Sequence, residues 1–244
     1  MMLNRGRLIA FVIVTTLSQP LVAQDSCGSL HDTTFGPFDY TDKRNTVAPV
    51  GVESPLHLVE RAHFTAQVEN LVRGESSVNP LDDLDYTLNV FPNHHRALNA
   101  MARYYLKHRV HPEQKLGRYT AECWFSRAIQ FTPNDAVVRE VYGLYLAQLG
   151  QREKAIEQYK LAIELIPDFA EAHYNLGLLY VDMRRYEDAN RHAVTAYKLG
   201  FPLSGLRTKL QQAGKWNPTV SQQAHSNVAP REHQANLGHD AANR

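Results

Sequence analysis

His94 and His95 adjoin in "FPNHHRAL", and His108, His111 and Glu113 crowd into "KHRVHPEQ". Imidazoles and a carboxylate this close in sequence are the material of a metal site or of acid–base catalysis. The spacing argues against both. Neighbouring residues on a helix point apart, so His94 and His95 do not share a face. No HExxH pair occurs, and Glu113 is the one acid near His108 and His111. "DDLD" at 82–85 suggests a hard-cation site, yet acids in the first turn of a helix are also what the helix dipole favours. GxSxG, Walker and GxGxxG patterns are absent, which leaves no motif with mechanical content. The expectation is a non-enzyme with no metal and no cofactor.

A further polar cluster, "HYNLGLLY" at 173–180, holds a histidine, an asparagine and two tyrosines. Whether it is chemistry or packing depends on whether the stretch recurs. It does. Gly143 and Gly177 lie 34 apart, as do Leu146 and Tyr180, Ala155 and Ala189, Ala162 and Ala196, and Pro133 and Pro167. One unit is "REVYGLYLAQLGQREKAIEQYKLAIELIPDFA" and the next "AHYNLGLLYVDMRRYEDANRHAVTAYKLGFP". This period, with Gly, aromatic, Ala and Pro at fixed offsets, resembles the tetratricopeptide repeat (TPR) family. Tyr142-Gly143 and Leu176-Gly177 match its Leu-Gly pair, Leu146 and Tyr180 its tyrosine, and Ala155 and Ala189 its small residue in the second helix. Tyr159 matches the later aromatic, whereas Ala193 departs from it, which predicts a looser last pair.

The pattern continues upstream in altered form. "FPNHHRALNAMARYYLKH" and "RYTAECWFSRAIQFTP" predict a hairpin, with Asn93 as its cap. Its two halves stand further apart than in the later units by an insertion of 7 residues within "HRVHPEQKLGR". "TAQVENLVRG" and "PLDDLDYTLNVFP" predict a weaker pair before it. The expected fold is all-α, a TPR-type solenoid of about four hairpins over 65–202 with a capping helix at 203–216. An extended N-terminal arm covers 24–64, and a tail at 217–244, almost without large apolar residues, is expected to be disordered.

"MMLNRGR" followed by "LIAFVIVTTL" and "SQPLVAQ" has the layout of a secretory signal peptide over 1–23. The expected location is therefore periplasmic or secreted, with no integral membrane segment after cleavage. Loss of Arg5 and Arg7 takes the formal charge from +1 to about −1, a balance that gives no sign of a nucleic-acid partner. Cys27 and Cys123, an even pair in an oxidising compartment, predict one disulfide. It should lie on the outer surface of the second helix, with Phe35 and Phe38 packed near Trp124. The chain is also similar to a group of secreted TPR proteins of Gram-negative bacteria in its "CG" start, "GPFDY" and "DLDYTL…FPNHHRAL", a likeness that brings no established activity.

The TPR resemblance implies a concave wall built by the first helix of each hairpin. Carried onto this sequence, its inward residues include Arg96, Asn99, Arg103, Glu140, Leu144, Tyr174, Asn175 and Leu178. Some TPR domains grip a peptide carboxylate with an asparagine like Asn175 and neighbouring basic residues; here Ala100, Val137, Val141 and Glu171 stand in the companion places, so that clamp is incomplete. What remains is a groove basic at Arg96 and Arg103 and apolar at Tyr174 and Leu178, for a protein or peptide partner. The expected function is an exported scaffold or adaptor in envelope assembly or secretion. The alternative is a metal-binding or catalytic envelope protein using the histidines of the 108–113 insertion.

Overall fold

A computed structural model describes residues 27–31, 33–47, 49, 51–109 and 117–219. The leader at 1–23, His111 and Glu113 of the insertion, and the tail beyond Thr219 lie outside the described residues. Those residues form eleven α-helices and no strand. In chain order these are α1 (Lys43–Thr46), α2 (Pro55–His63), α3 (Ala66–Glu69), α4 (Pro80–Val90), α5 (His95–Lys107) and α6 (Ala121–Phe131), then α7 (Ala136–Gln148), α8 (Arg152–Leu165), α9 (Ala170–Asp182), α10 (Tyr186–Lys198) and α11 (Gly205–Gln212). No described helix is long and apolar enough to cross a membrane.

The hairpins α5/α6, α7/α8 and α9/α10 stack in sequence as a TPR-like solenoid, and α11 packs on α9 and α10 as its cap. α7 and α9 start at Ala136 and Ala170, and α8 and α10 at Arg152 and Tyr186, which reproduces the sequence period. The cause is a repeated packing geometry. Gly143 faces the Tyr159 ring so closely that a Cβ there would stand 2.8 Å from the ring edge. At the equivalent Gly177 the neighbour is Leu206 of α11 rather than a ring from α10. Ala193 is fully buried, and Leu206 of the cap stands beside Gly177 where the preceding unit has the Tyr159 ring.

The first hairpin differs from the expected one. α3 is a single turn, and the helix that packs along α4 is chiefly α2, which lies inside the segment expected to be extended. Ser54 Oγ caps α2 by accepting from the His57 N–H at 3.1 Å, and Pro55 occupies the first turn, where its missing N–H costs nothing. The solenoid thus begins near residue 55 rather than 65.

The remaining arm lies against the array. Phe38 N–H donates to the Val90 carbonyl at 2.8 Å, and its ring packs 5.6 Å from that of Phe91. This register carries Phe35 and Phe38 to the end of α4 rather than to Trp124, whose neighbours are the Tyr119 ring and the Arg127 guanidinium. The Cys27 and Cys123 sulfurs stand 1.98 Å apart, and both residues are buried in the same core cluster. Asn93 is not the cap of α5. His94 takes that place, its Nδ1 accepting from the Ala97 N–H at 3.2 Å, which frees Asn93 to bind the arm.

Candidate concave binding face

Helices α5, α7 and α9 adjoin in turn, and each carries residues that the sequence assigns to the concave wall. Their surroundings differ along the wall. On α5, Arg96 donates through Nε to Glu69 Oε1 at 2.8 Å and through Nη1 to Glu60 Oε1 at 3.3 Å, and it lies over the Phe64 ring. Arg96 hydrogen bonds hold the Glu69 carboxyl below its usual range. Arg103 Nη2 donates to the Glu69 carbonyl at 2.5 Å. Asn99 stands between them, half buried. At the expected basic end Arg96 is therefore paired with Glu60 of α2 and Glu69 of α3, 36 and 27 residues upstream, while its side chain stays half exposed.

The other end is engaged too. Tyr174 is buried, its ring 4.4 Å from that of Phe201 in the link to α11. Tyr174 is thus held by the cap and does not offer itself to a partner.

Between these ends Val137, Leu144, Asn175 and Leu178 are half buried, Glu171 is exposed, and Glu140 forms the floor at 4% exposure. Asn175 Nδ2 donates to Glu140 Oε1 at 2.6 Å. That bond ties α7 to α9 through two side chains, rather than using Asn175 on the backbone. Burial raises the Glu140 pKa to about 7; the nearby Glu171 charge adds to this, and the Asn175 hydrogen bond opposes it. Tyr159, beneath them on α8, is pushed well above the usual phenol range by burial and by the same two acids. The open part of the face is therefore acidic and apolar, the reverse in charge of the basic groove read from Arg96 and Arg103.

Four of the described histidines, His94, His95, His108 and His173, sit in packing or hydrogen-bonding contacts. His94 is fully buried, donates through Nε2 to Glu60 at 3.2 Å and stacks on Tyr40 at 4.3 Å. Burial holds its pKa below the usual value despite Glu60. His95 meets Asp135 Oδ2 at 2.8 Å, and His108 packs on the Tyr104 ring. His173 Nε2 donates to the Pro167 carbonyl, so its Nδ1 accepts from His192 Nδ1 at 2.9 Å. Among the described residues no three His, Cys, Asp or Glu side chains are grouped to hold a metal.

One junction escaped the sequence reading. Asn93 Oδ1 accepts from the Tyr40 N–H at 2.9 Å, while its Nδ2 donates to Asp39 at 2.8 Å and to Asp135 at 3.1 Å. Burial alone would raise Asp135, but hydrogen bonds from His95, Asn93 and the Val138 N–H outweigh it and hold the carboxyl low. "GPFDY" and "FPNHHRAL" thus meet in space beside a surface cleft of about 420 Å³. A polar side chain flanked by aromatic residues in both stretches was the available signal.

Residues 143–183 match the family described as TPR repeat. That stretch of the chain carries TPR repeat sequence. Over 80 residues the TPR array is 34% identical to a peroxisomal targeting signal receptor of Candida glabrata, which covers 33% of this chain and 13% of the receptor. Over 68 residues it is 32% identical to a TPR repeat-containing thioredoxin of Arabidopsis thaliana, covering 28% of this chain and 10% of the relative. The chain thus spans about an eighth or less of the length of these curated relatives. A solved structure of a MamA point mutant aligns with 59% of this chain and 74% of its own, at 22% identity and a TM-score of 0.40.

Proposed function

We propose that this protein is an exported scaffold that holds an extended segment of a protein partner on the concave face between Glu140 and Leu178, in cell-envelope assembly or secretion. The TPR repeats support a binding role rather than a catalytic one. The leader-like sequence at 1–23 supports export, and a Cys27–Cys123 disulfide formed in an oxidising compartment accords with it. The observation that carries the proposal is the exposure pattern on three adjacent helices. At one end the cations are engaged by the chain's own α2–α3 segment and at the other Tyr174 is held against the link to α11, while Val137, Leu144 and Leu178 stay partly open around a polar floor. Partly exposed apolar side chains flanking hydrogen-bonding groups suit an extended peptide.

The test is affinity capture with tagged full-length protein from cells that export it, beside Leu144→Asp and Leu178→Asp variants. One envelope protein should be retained by the parent and lost from both variants, with helical circular dichroism unchanged. Equal retention by the variants would move binding away from the concave face.

A further inference from the structure

We propose that the middle of the concave face takes one cationic side chain, the ammonium of a lysine or the guanidinium of an arginine, from an extended partner segment seated between Glu140 and Glu171. This rests on the peptide-binding function above and gives that peptide its chemistry. Glu140 is buried in the wall of α7, and its Oε1 is fixed by Asn175 Nδ2 at 2.6 Å. Its second oxygen has no hydrogen-bond partner among the described residues. Glu171 stands exposed one helix away, on α9.

Among the described residues no cation is paired with these acids. On α5, Arg96 is taken up by Glu60 and Glu69, and Arg103 by the Glu69 carbonyl. Arg139, beside Glu140 on α7, donates to Gln158 at 3.1 Å. Tyr159 of α8 remains a neutral phenol at any ordinary pH. A buried carboxylate without a counter-charge is disfavoured, so Glu140 retains its proton near neutrality, and an incoming cation supplies the partner that the fold leaves out. Charge-assisted hydrogen bonds to such a group are the strong ones. A lysine or arginine stem is long enough to lie along Leu144 and Leu178 while its head reaches the floor. A partner's terminal carboxylate is repelled here, the opposite of a clamp built from Asn175 and basic neighbours.

The experiment pans the immobilised full-length protein at pH 8 against a phage-displayed library of random ten-residue peptides and measures selected synthetic peptides by titration calorimetry. The expected result is lysine or arginine at one fixed position. Its replacement by norleucine should weaken binding about tenfold or more, and Glu140→Gln, which keeps an acceptor for Asn175, should do the same. Below the Glu140 pKa of about 7, affinity should fall toward tenfold per pH unit in the parent and stay flat in Glu140→Gln. Peptides whose binding is lost in Leu178→Asp yet shows no cation preference overturn this inference and leave the scaffold function standing. Selected peptides indifferent to Leu178→Asp overturn both, as does a library that yields no binder. Enrichment that appears only after removal of residues 220–244 places the chain's own tail on the face and overturns the inference.

Discussion

Arg127 Nη1 donates to the carbonyl of Cys27 at 2.9 Å, across 100 residues of sequence, and to the Ser29 carbonyl at 3.0 Å. The side chain is 2% exposed and lies 4.9 Å from the centre of the Tyr119 ring, while its Nη2 reaches Asn89. One guanidinium therefore joins the N-terminal arm, α4 and α6. The planar fork suits this task because several acceptors arrive from different directions.

Arg127→Leu keeps the bulk of the side chain and strands buried carbonyls. Each unsatisfied buried acceptor costs about 1–3 kcal/mol, so a loss of about 2–4 kcal/mol is expected. The urea midpoint measures it, with hydrogen exchange at 27–41 reporting release of the arm. A change below about 1 kcal/mol with the arm still protected would show that the arm's other contacts, at Cys123, Val90 and Asn93, hold it without Arg127.

The proposed Cys27–Cys123 disulfide spans a sequence separation of 96. Closing a loop near 100 residues stabilises by at most about 4.7 kcal/mol in the chain-entropy treatment, and measured values cluster at about 2–4. Cys27→Ala with Cys123→Ala should lower stability by that amount. Peptide mapping without reductant checks the bond itself: two free thiols in protein recovered from an oxidising compartment would refute it.

The regular half of the molecule was legible because its packing repeats. Gly143, Ala155, Ala162 and Pro133 recur at a fixed offset because successive hairpins need small residues at the close approaches and a break at the same place. The first hairpin was not, because α3 is one turn long and α2 takes its place from a stretch rich in turn formers. The same irregularity hid the charge of the binding face. Arg96 and Arg103 look basic in a helical projection, and only the folded chain shows Glu60 and Glu69 lying across them. Glu140 and Asn175 were placed on the face by their positions in the repeat, but their mutual bond depends on how adjacent hairpins stack.

Gly143 and Gly177 are equivalent in sequence and should differ in tolerance. A Cβ at Gly143 meets the edge of Tyr159 at 2.8 Å, and that ring is 1% exposed with nowhere to move. At Gly177 the atom met is Leu206 Cδ2 at 2.5 Å, closer still and fully buried, but it is the end of a flexible side chain that can change rotamer rather than a rigid ring. Alanine gains up to about 1 kcal/mol in a helix, while overpacking costs about 1–3. Gly143→Ala should therefore lose about 1–2 kcal/mol and Gly177→Ala much less. Thermal unfolding of both decides; a larger loss at Gly177 would mean that the cap is the more rigid neighbour.

Glu140 should also make stability fall with rising pH. Its ordinary value is 4.5, and burial raises it to about 7 in the folded chain. A raised carboxyl binds its proton more tightly in the native state, so its contribution is complete below about pH 4.5, declines between the two values and is lost above about 7. Each tenfold gain in proton affinity on folding is worth about 1.4 kcal/mol, so the rise from 4.5 to about 7 sets a contribution on the order of 3 kcal/mol. His94 works in the opposite sense. Its folded value is lowered by burial, so its contribution is present above the ordinary 6.5 and lost as pH falls through its lower folded value. The parent's total profile mixes the two, and comparison with Glu140→Gln separates them. The variant should match the parent near pH 4.5 and exceed it by about 3 kcal/mol at pH 8, with most of the divergence between about pH 5 and 7. Urea titrations across that range measure the difference. A constant offset between parent and variant would show that Glu140 ionises as freely as in the unfolded chain, and that Asn175 or solvent supports its charge.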